Sequence, residues 1–284
     1  MTKSPKNHAA PLRIGAVNYL NSKPLIHGLS ESGKSRDGQE YHLLLDLPSR
    51  LADSLAAHRV DVALIPSVEF FQNPNYTIVS DACIACSGPV LSVKLFFRVP
   101  PRKVRRLALD EGSRTSAALT LILLDELYGV CPELEPLPIG SDASDTDADA
   151  TLLIGDRAMH PLAESFVEVW DLGQKWSEWS QLPFVFAMWV GRPGANLTSI
   201  APLLSHARDQ GVAATDEIAE RQAALLDIDP KVAASYLRDN LHFVFSAPER
   251  QGLLRFYQLC AQRKLVPAGM ESMIDQINID GCTV

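Results

Sequence analysis

The sequence predicts an α/β protein of two lobes with a ligand cleft between them, and three observations support this prediction. The chain has 284 residues, too many for one ordinary small domain, and 46% of them are apolar, enough for a substantial core. Strand-like apolar runs alternate with helix-like segments as far as Gly194, and the remainder is almost entirely helical in pattern. Such alternation indicates a mostly parallel sheet, whose strand-to-helix loops gather at one edge and face the cleft.

The first third of the chain predicts four strands separated by short helices. The strands are expected at 13–17, 41–47, 60–66 and 76–86. A short helix from Ser22 to Leu29 would have Asn21 or Ser22 as its cap and Pro24 in its first turn, where the missing N–H does no harm. Residues 48–59 form an amphipathic pattern, and residues 67–71 form a short helix after the strand that ends at Pro66.

The rest of the chain predicts the lobe boundaries. Strands are expected at 88–99, 104–110, 151–155 and 182–190, with an apolar helix from Thr115 to Tyr128 that ends at Gly129. Residues 141–149 are acidic and predict an exposed loop. Strands near 91–98 and 183–191 are candidates to pass between the lobes. We therefore expect one lobe to comprise 12–98 together with 183–284, and the other to comprise 99–182.

Charge and cysteine content exclude several classes of function. The net charge of −8 makes nucleic acid and anionic membranes poor partners, although a small anion remains an acceptable ligand. The segment MTKSPKNHAAPLR has no apolar signal region, and no apolar run is long enough to span a membrane, so a cytoplasmic protein is expected. Five cysteines do not suit a full disulfide framework, and Cys83 and Cys86 are expected to be small buried residues of a strand.

Five loops that follow strands share a content of Ser, Thr, Asn and Gly, and none carries a nucleophile–histidine pair or a zinc-like cluster. The most specific is DEGSRTS, in which Gly112 permits a tight turn, Ser113, Thr115 and Ser116 supply hydroxyls and Arg114 supplies a guanidinium. Together with free helix N–H groups, this set suits a carboxylate or phosphate. Alternatively, it is a plain helix cap with Arg114 facing water. The phosphate-binding pattern of nucleotide P-loops is missing.

The other loops allow two interpretations each. Asp156, after an apolar strand, would either bind a ligand hydroxyl or cap the next helix. Ser67 and Glu69 are open to the same two interpretations. Ser87 and Gly88 would either present backbone N–H groups to a ligand or simply form a turn.

Six motifs occur in an order that is similar to a known family. They are VNYLNSKPL, DVALIPSVEF, SGPVLSV, DEGSRTSAAL, LLIGDRA and DLGQKW…LPFVFAMW, and together they span about residues 12–192. The chain thereby resembles the chorismate dehydratases of the futalosine route to menaquinone. The resemblance implies the two-lobed type II periplasmic-binding-protein-like fold. It also implies a cytoplasmic enzyme, a monomer or homodimer, that needs no cofactor and converts chorismate to 3-[(1-carboxyvinyl)oxy]benzoate and water.

The resemblance also suggests roles for the loop residues. Asn21 would hydrogen-bond the reacting region and steady its negative charge, with Asn18 and Tyr19 shaping the loop or forming the pocket wall. Thr115, Ser116 and the helix N–H groups would hold one carboxylate, with Ser87 as a further candidate. The base would be the substrate's own enolpyruvyl carboxylate, or else Asp156 or Glu69. Alternative functions are the related 1,4-dihydroxy-6-naphthoate synthase of the same route, or a carboxylate-binding protein or sensor without catalysis.

Overall fold

A computed structural model describes residues 10–275 of the chain. This range contains twelve strands in two sheets. The strands are β1 (Leu12–Val17), β2 (Ser32–Lys34), β3 (Glu40–Asp46), β4 (Val62–Pro66), β5 (Thr77–Cys86), β6 (Val93–Phe97), β7 (Arg106–Asp110), β8 (Glu133–Leu137), β9 (Ala150–Ile154), β10 (Glu168–Asp171), β11 (Phe184–Gly191) and β12 (His242–Val244). A strand is present in each of the predicted ranges. Strands β2, β8, β10 and β12 were not predicted.

The α-helices cover the loops and faces of the two sheets. They are α1 (Pro48–Ala56), α2 (Ser67–Phe70), α3 (Arg114–Tyr128), α4 (Leu172–Ser180), α5 (Ile200–Ala213), α6 (Thr215–Leu226), α7 (Pro230–Ser235), α8 (Ala247–Gln262) and α9 (Glu271–Asp275). A π-helical turn, Tyr236–Asn240, continues α7. The helical pattern predicted after Gly194 is confirmed by α5 to α9, with β12 as an exception, and its residues 276–284 lie outside the described range. Within the described range, no helix is long and apolar enough to cross a membrane.

The first sheet has seven strands in the order β12-β5-β11-β4-β1-β3-β2. Its centre, β3-β1-β4, is parallel, and β11 joins it antiparallel to both β4 and β5. Asp61, just before β4, ties three strands together by accepting hydrogen bonds from Arg13 and Arg192. Burial acts to raise the pKa of Asp61, but these hydrogen bonds outweigh it and lower the pKa to about 2.

The second sheet has five strands in the order β10-β6-β9-β7-β8. Strands β7, β8 and β9 are parallel, and β6 runs antiparallel to β9 and β10. Strand β6 therefore belongs to this sheet, whereas the predicted limits grouped residues 93–97 with the other lobe. The chain passes between the sheets at residues 87–92 and again at 181–183. The residue limits of the lobes themselves stay a prediction.

Aromatic side chains close the side of the molecule where the chain crosses back. Trp176 of α4 lies against Phe184 of β11 and Phe256 of α8, with ring centroids 5.2 and 6.3 Å apart. All three rings are completely or almost completely buried. Edge-to-face contacts of this kind add about 0.5–1.5 kcal/mol each to simple burial, so α4 is firmly held against the first sheet.

Two local predictions were wrong in detail. In place of the predicted helix from Ser22 to Leu29, residues 20–26 form two separate 3₁₀ turns, Leu20–Ser22 and Pro24–Ile26. Pro24 interrupts the hydrogen-bonding pattern, and neither Asn21 nor Ser22 acts as a cap. The predicted long strand at 88–99 is reduced to β6, since residues 88–92 are the crossing segment. The predictions that Cys83 and Cys86 are buried strand residues are confirmed.

Candidate active site between the two sheets

A cavity lies where the carboxyl ends of the central strands of both sheets face each other. It encloses about 510 Å³ of space, counting its open mouth. Its polar wall is formed by Tyr19, Asn21, Ser92, Ser113, Thr115 and Ser116. Its apolar wall includes Val17, Ile84, Val90, Val93, Ile154 and Phe186. The mixed polar and apolar lining is typical of a site for a small organic molecule.

Helix N-termini give the cavity a positive potential without a cationic side chain. Among the described residues, no Lys, Arg, Asp or Glu lines it. Pro48, the first residue of α1, and Ser113, the N-cap of α3, both lie in its wall. The first N–H groups of a helix have no partner within the helix, and the helix dipole adds partial positive charge there. The cavity is therefore suited to an anion such as a carboxylate.

Asp110, the last residue of β7, organises the loop that leads into α3. Its carboxylate accepts hydrogen bonds from Gly112 N at 2.9 Å and from Ile154 N at 3.2 Å, and it is paired with Arg157. Its backbone oxygen accepts from Ser113 N at 3.1 Å. Because Asp110 is buried, these bonds fix the loop against β9.

The hydroxyls at the start of α3 form a helix cap that faces the cavity. Ser113 Oγ caps the helix by accepting from Ser116 N at 3.3 Å, and it donates to Ser116 Oγ at 2.7 Å. Because Ser116 Oγ accepts this bond, its own hydrogen is directed elsewhere. Both residues line the cavity, so the capping role does not remove them from its wall.

Asp156 joins the two sheets rather than capping its own helix. Its carboxylate, which follows β9, accepts from Leu20 N at 3.0 Å and 3.3 Å, and Leu20 follows β1. It thereby satisfies the first turn of the 3₁₀ segment Leu20–Ser22, which has no side-chain cap of its own. Burial raises the pKa of Asp156, against the opposing effect of the Leu20 hydrogen bond.

Thr115 makes a second bridge between the sheets. Its Oγ1, at the start of α3, accepts from Val68 N of α2 at 3.2 Å. Ser67, also in α2, is completely buried; its Oγ donates to Val185 O at 2.7 Å and lies 3.4 Å from Thr115 Oγ1. The Ser67 hydroxyl is therefore used within the protein, whereas Thr115 also faces the cavity.

Arg114 makes a third bridge, at the rim. Its guanidinium lies 2.8 Å from Asp53 Oδ1 of α1 and 3.3 Å from Glu69 Oε2 of α2. Burial raises the pKa of Glu69, and Arg114 opposes that increase. The sequence predicted that Arg114 either binds an anion or faces water. Its guanidinium instead pairs with Asp53 and Glu69 and thereby joins α3 to the helices of the first sheet.

Asn21 presents an unsatisfied acceptor. Its Oδ1 is buried and has no hydrogen-bond partner among residues 10–275. Burial raises the pKa of Tyr236 overall, and the neighbouring side chains of Ser92 and Asn21 oppose that increase. Because Asn21 is a wall residue, its unpartnered Oδ1 is available to a ligand.

Tyr19 forms the wall between the two strand ends, as predicted for it. Its ring packs on Gly155, where a Cβ would lie 2.9 Å from Tyr19 Cζ. Gly155 also has φ +73, a conformation that side chains disfavour. Burial, together with the charge of Asp110, raises the pKa of Tyr19 to about 12, so it is a neutral phenol.

The structure brings together three of the eight predicted site residues. Asn21, Thr115 and Ser116 line the cavity. The lining does not include Ser67, Ser87, Gly88, Arg114 or Asp156. Ser87 is exposed, and Gly88 N donates to Ser177 Oγ at 2.8 Å, so these two form part of the crossing segment.

Sequence reasoning missed Ser92 and Tyr236. Ser92 lies in the quoted motif SGPVLSV, and a polar residue that interrupts an apolar run was the signal available for it. Tyr236 lies in a segment that resembles any amphipathic helix, so nothing local marked it. Among the described residues, no cluster of three or more His, Cys, Asp or Glu side chains could hold a metal ion.

Comparison with solved structures identifies the class of protein. Protein AF1704 from Archaeoglobus fulgidus superposes with a TM-score of 0.70 at 14% identity, covering 92% of this chain and 100% of that one. The periplasmic aliphatic sulphonate binding protein SsuA from Escherichia coli superposes with a TM-score of 0.60 at 16% identity, covering 95% and 97%. The chain is a two-lobed α/β protein with the periplasmic-binding-protein-like fold, as predicted.

Sequence comparison identifies the family. The menaquinone biosynthesis family profile matches residues 12–262. A protein named chorismate dehydratase from Thermus thermophilus is 31% identical over 264 residues, covering 87% of this chain and 94% of the relative. One of the same name from Campylobacter jejuni is 26% identical over 250 residues, covering 88% and 92%. The chain belongs to the menaquinone biosynthesis family, and the resemblance found in its motifs is confirmed.

Proposed function

We propose that this protein is a chorismate dehydratase, a hydro-lyase that converts chorismate to 3-[(1-carboxyvinyl)oxy]benzoate and water. The observation that carries the proposal is the cavity itself: hydroxyls, one amide and helix N–H groups surround an apolar-walled space in a chain that aligns along most of its length with two relatives of that name. The substrate is a cyclic dianion, and the cavity offers donors for carboxylates at α3 and an apolar wall for the ring.

The reaction needs positioning more than strong acids or bases. A proton leaves the ring carbon that bears the enolpyruvyl ether, and hydroxide leaves the neighbouring carbon. The electron pair of the broken C–H bond becomes part of the aromatic ring, and the proton and hydroxide together form water. The carbanion is vinylogous to the ring carboxylate and can delocalise into it. The aromatic product supplies much of the driving force, so the protein's contribution is orientation and charge stabilisation.

The start of α3 is the proposed carboxylate site. Thr115 and Ser116 lie in the wall, and the hydroxyl hydrogen of Ser116 is not used by Ser113. An anion at a helix N-terminus is stabilised by about 0.3–1 kcal/mol, and by up to about 2 kcal/mol where it is partly buried. Hydrogen bonds from hydroxyls and N–H groups to the charged carboxylate add about 1.5–3 kcal/mol each.

Asn21 is proposed to orient the leaving hydroxyl. A role in steadying negative charge requires an N–H donor, whereas the buried, unpartnered atom of Asn21 is the acceptor Oδ1. An acceptor binds the hydrogen of a hydroxyl group. Fixing that hydroxyl would hold the breaking C–O bond roughly perpendicular to the ring plane. Elimination requires this alignment with the π electrons of the ring.

The base is proposed to be the enolpyruvyl carboxylate of the substrate. Among protein carboxylates, Asp156 is engaged by Leu20 N and Glu69 by Arg114, and neither lines the cavity. The substrate's carboxylate is already attached beside the reacting carbon, so it is always in place. After accepting the proton, it can pass it to the departing hydroxide.

Further proposals begin from the sequence. They are the lobe limits 12–98 with 183–284 and 99–182, of which the first limit moves back to the crossing segment 87–92 because β6 pairs in the second sheet, a cytoplasmic location, and a monomer or homodimer. The bridges made by Asp156, Thr115 and Arg114 would form as the lobes close on substrate and would exclude water from the cavity.

The test of the proposed function is product identification. Purified protein is mixed with chorismate in metal-free buffer, and products are followed by mass spectrometry. Loss of one water, with the enolpyruvyl group retained on an aromatic ring, is the expected result. Unchanged chorismate, with circular dichroism showing a folded protein, would overturn the proposal and favour the related synthase or a sensor.

A further inference from the structure

Tyr236 lies directly behind the cavity wall and contacts two wall residues. It is completely buried and is not itself part of the lining. Its hydroxyl donates to Ser92 Oγ at 2.7 Å, and Asn21 is the second wall residue close enough to influence its pKa. Both Asn21 and Ser92 face the cavity. One phenol therefore connects two polar groups that a ligand would meet.

Hydrogen-bond counting fixes the direction of each contact. A phenol has one hydrogen, and that hydrogen is given to Ser92. The buried Oδ1 of Asn21 has no hydrogen-bond partner within residues 10–275, and an amide oxygen can only accept. Ser92 accepts from Tyr236, so its own hydrogen must be directed away from Tyr236. Within residues 10–275, Ser92 Oγ has no other hydrogen-bond partner.

We infer that Tyr236 is a positioning residue, which makes Ser92 a donor beside the unpartnered acceptor Oδ1 of Asn21, so that the two wall residues together bind one hydroxyl group. A hydroxyl both donates and accepts, and the pair offers it one bond of each kind. This inference rests on the proposed function, in which the bound hydroxyl is the one that leaves. Ser92, polarised by Tyr236, donates to the oxygen on which negative charge develops.

The local backbone holds Tyr236 in this place. Residues Tyr236–Asn240 form the π-helical turn, and its last residue, Asn240, donates from its amide to Pro89 O at 2.9 Å. Both ends of the turn are thus bonded to the crossing segment that carries Ser92. Isolated π-helical turns are rare and occur often at functional sites, because the extra residue alters which side chains face a given direction.

The variant that tests the inference is Tyr236→Phe, which keeps the ring and removes the hydroxyl. We expect kcat for chorismate to fall by about 10- to 100-fold, because Ser92 loses the hydrogen bond that directs its own hydrogen into the cavity. The dissociation constant of the product, 3-[(1-carboxyvinyl)oxy]benzoate, should change by less than about 2-fold, since the product has lost the hydroxyl that the pair binds. A purely structural role would weaken product binding as well.

Tyr257→Phe is the matched control. Tyr257 is also completely buried, and its hydroxyl donates to Pro267 O at 3.1 Å and accepts from Met270 N at 2.9 Å, away from the cavity. It should lower thermal stability and leave kcat unchanged. Ser92→Ala tests the same pair from the cavity side and should also reduce kcat without weakening product binding.

A double variant tests the connection between the residues. If Tyr236 acts through Ser92, Tyr236→Phe should cost less in the Ser92→Ala background than in the wild type. Suppose that the wild type converts chorismate. An unchanged kcat in Tyr236→Phe would then overturn the inference, and so would equal losses of kcat and product affinity. Either result would leave the proposed function standing. An inactive wild type would overturn both.

Discussion

Asp156 offers a sharp test of the site, because the two roles suggested for it predict opposite results. As a bridge, it accepts the buried Leu20 N–H from across the cavity. As a base, it would need to reach the substrate. Its raised pKa is a property that general bases share, so titration behaviour alone does not separate the roles.

The bridging role predicts different effects for two substitutions. Asp156→Ala leaves the Leu20 N–H without an acceptor, which costs about 1–3 kcal/mol in the closed form and should lower kcat/KM by about 5- to 150-fold, mainly through KM. Asp156→Asn keeps an acceptor oxygen, so it should lose no more than about 5-fold. A base would lose about 100- to 10,000-fold in kcat with either substitution.

The assay is steady-state kinetics with chorismate for both variants. Asp229→Ala serves as control, because Asp229 caps α7 by accepting from Lys231 N at 2.7 Å on the outside of the fold. It should lower stability by about 1 kcal/mol without changing kcat/KM. If Asp156→Asn proved as inactive as Asp156→Ala, with the loss in kcat, the bridging role would be refuted.

Three further predictions concern stability and closure. Asp61→Asn should lower the unfolding free energy, measured by denaturant titration, by about 2 kcal/mol at pH 7. Because the pKa of Asp61 is depressed in the folded state, the difference from wild type should vanish as the pH falls from about 4 to about 2. A difference that does not depend on pH would contradict this prediction. Gly155→Ala should cost about 1–3 kcal/mol in a thermal melt, since its Cβ would strike Tyr19 at positive φ; an unchanged melting temperature would contradict the packing. Thr115→Val should raise KM by about 5-fold or more through the unpaired Val68 N–H, and Thr115→Ser should not; equal KM values for the two variants would exclude that bridge.

The fold was predictable because its signals are local. Alternation of apolar residues located β1, β4 and β7, and the cap at Ser113 with Gly129 at φ +65 located both ends of α3. The boundary strand β6 was harder, since an apolar strand pairs equally well in either sheet. Strand β6 lies in the second sheet because it pairs with β9, and nothing in the sequence of β6 indicates that partner.

The site was predictable only in part, because its groups meet across long stretches of sequence. Asp156 and Leu20 are 136 residues apart, and Tyr236 and Ser92 are 144 residues apart. The local sequence shows which polar side chains each loop contains. It does not show which distant groups those side chains hydrogen-bond. Arg114 shows the consequence: it has the chemistry of an anion ligand, and its acidic neighbours on α1 and α2 take that role.

The measurement that tests the central claim most directly separates turnover from binding in Asn21→Ala. The claim is that the cavity acts by positioning, with the buried Oδ1 of Asn21 directed at the substrate. We expect kcat for chorismate to fall by about 100-fold while the dissociation constant of the product changes by less than about 3-fold. Equal losses of turnover and affinity would show that Asn21 only shapes the loop, and would contradict the account.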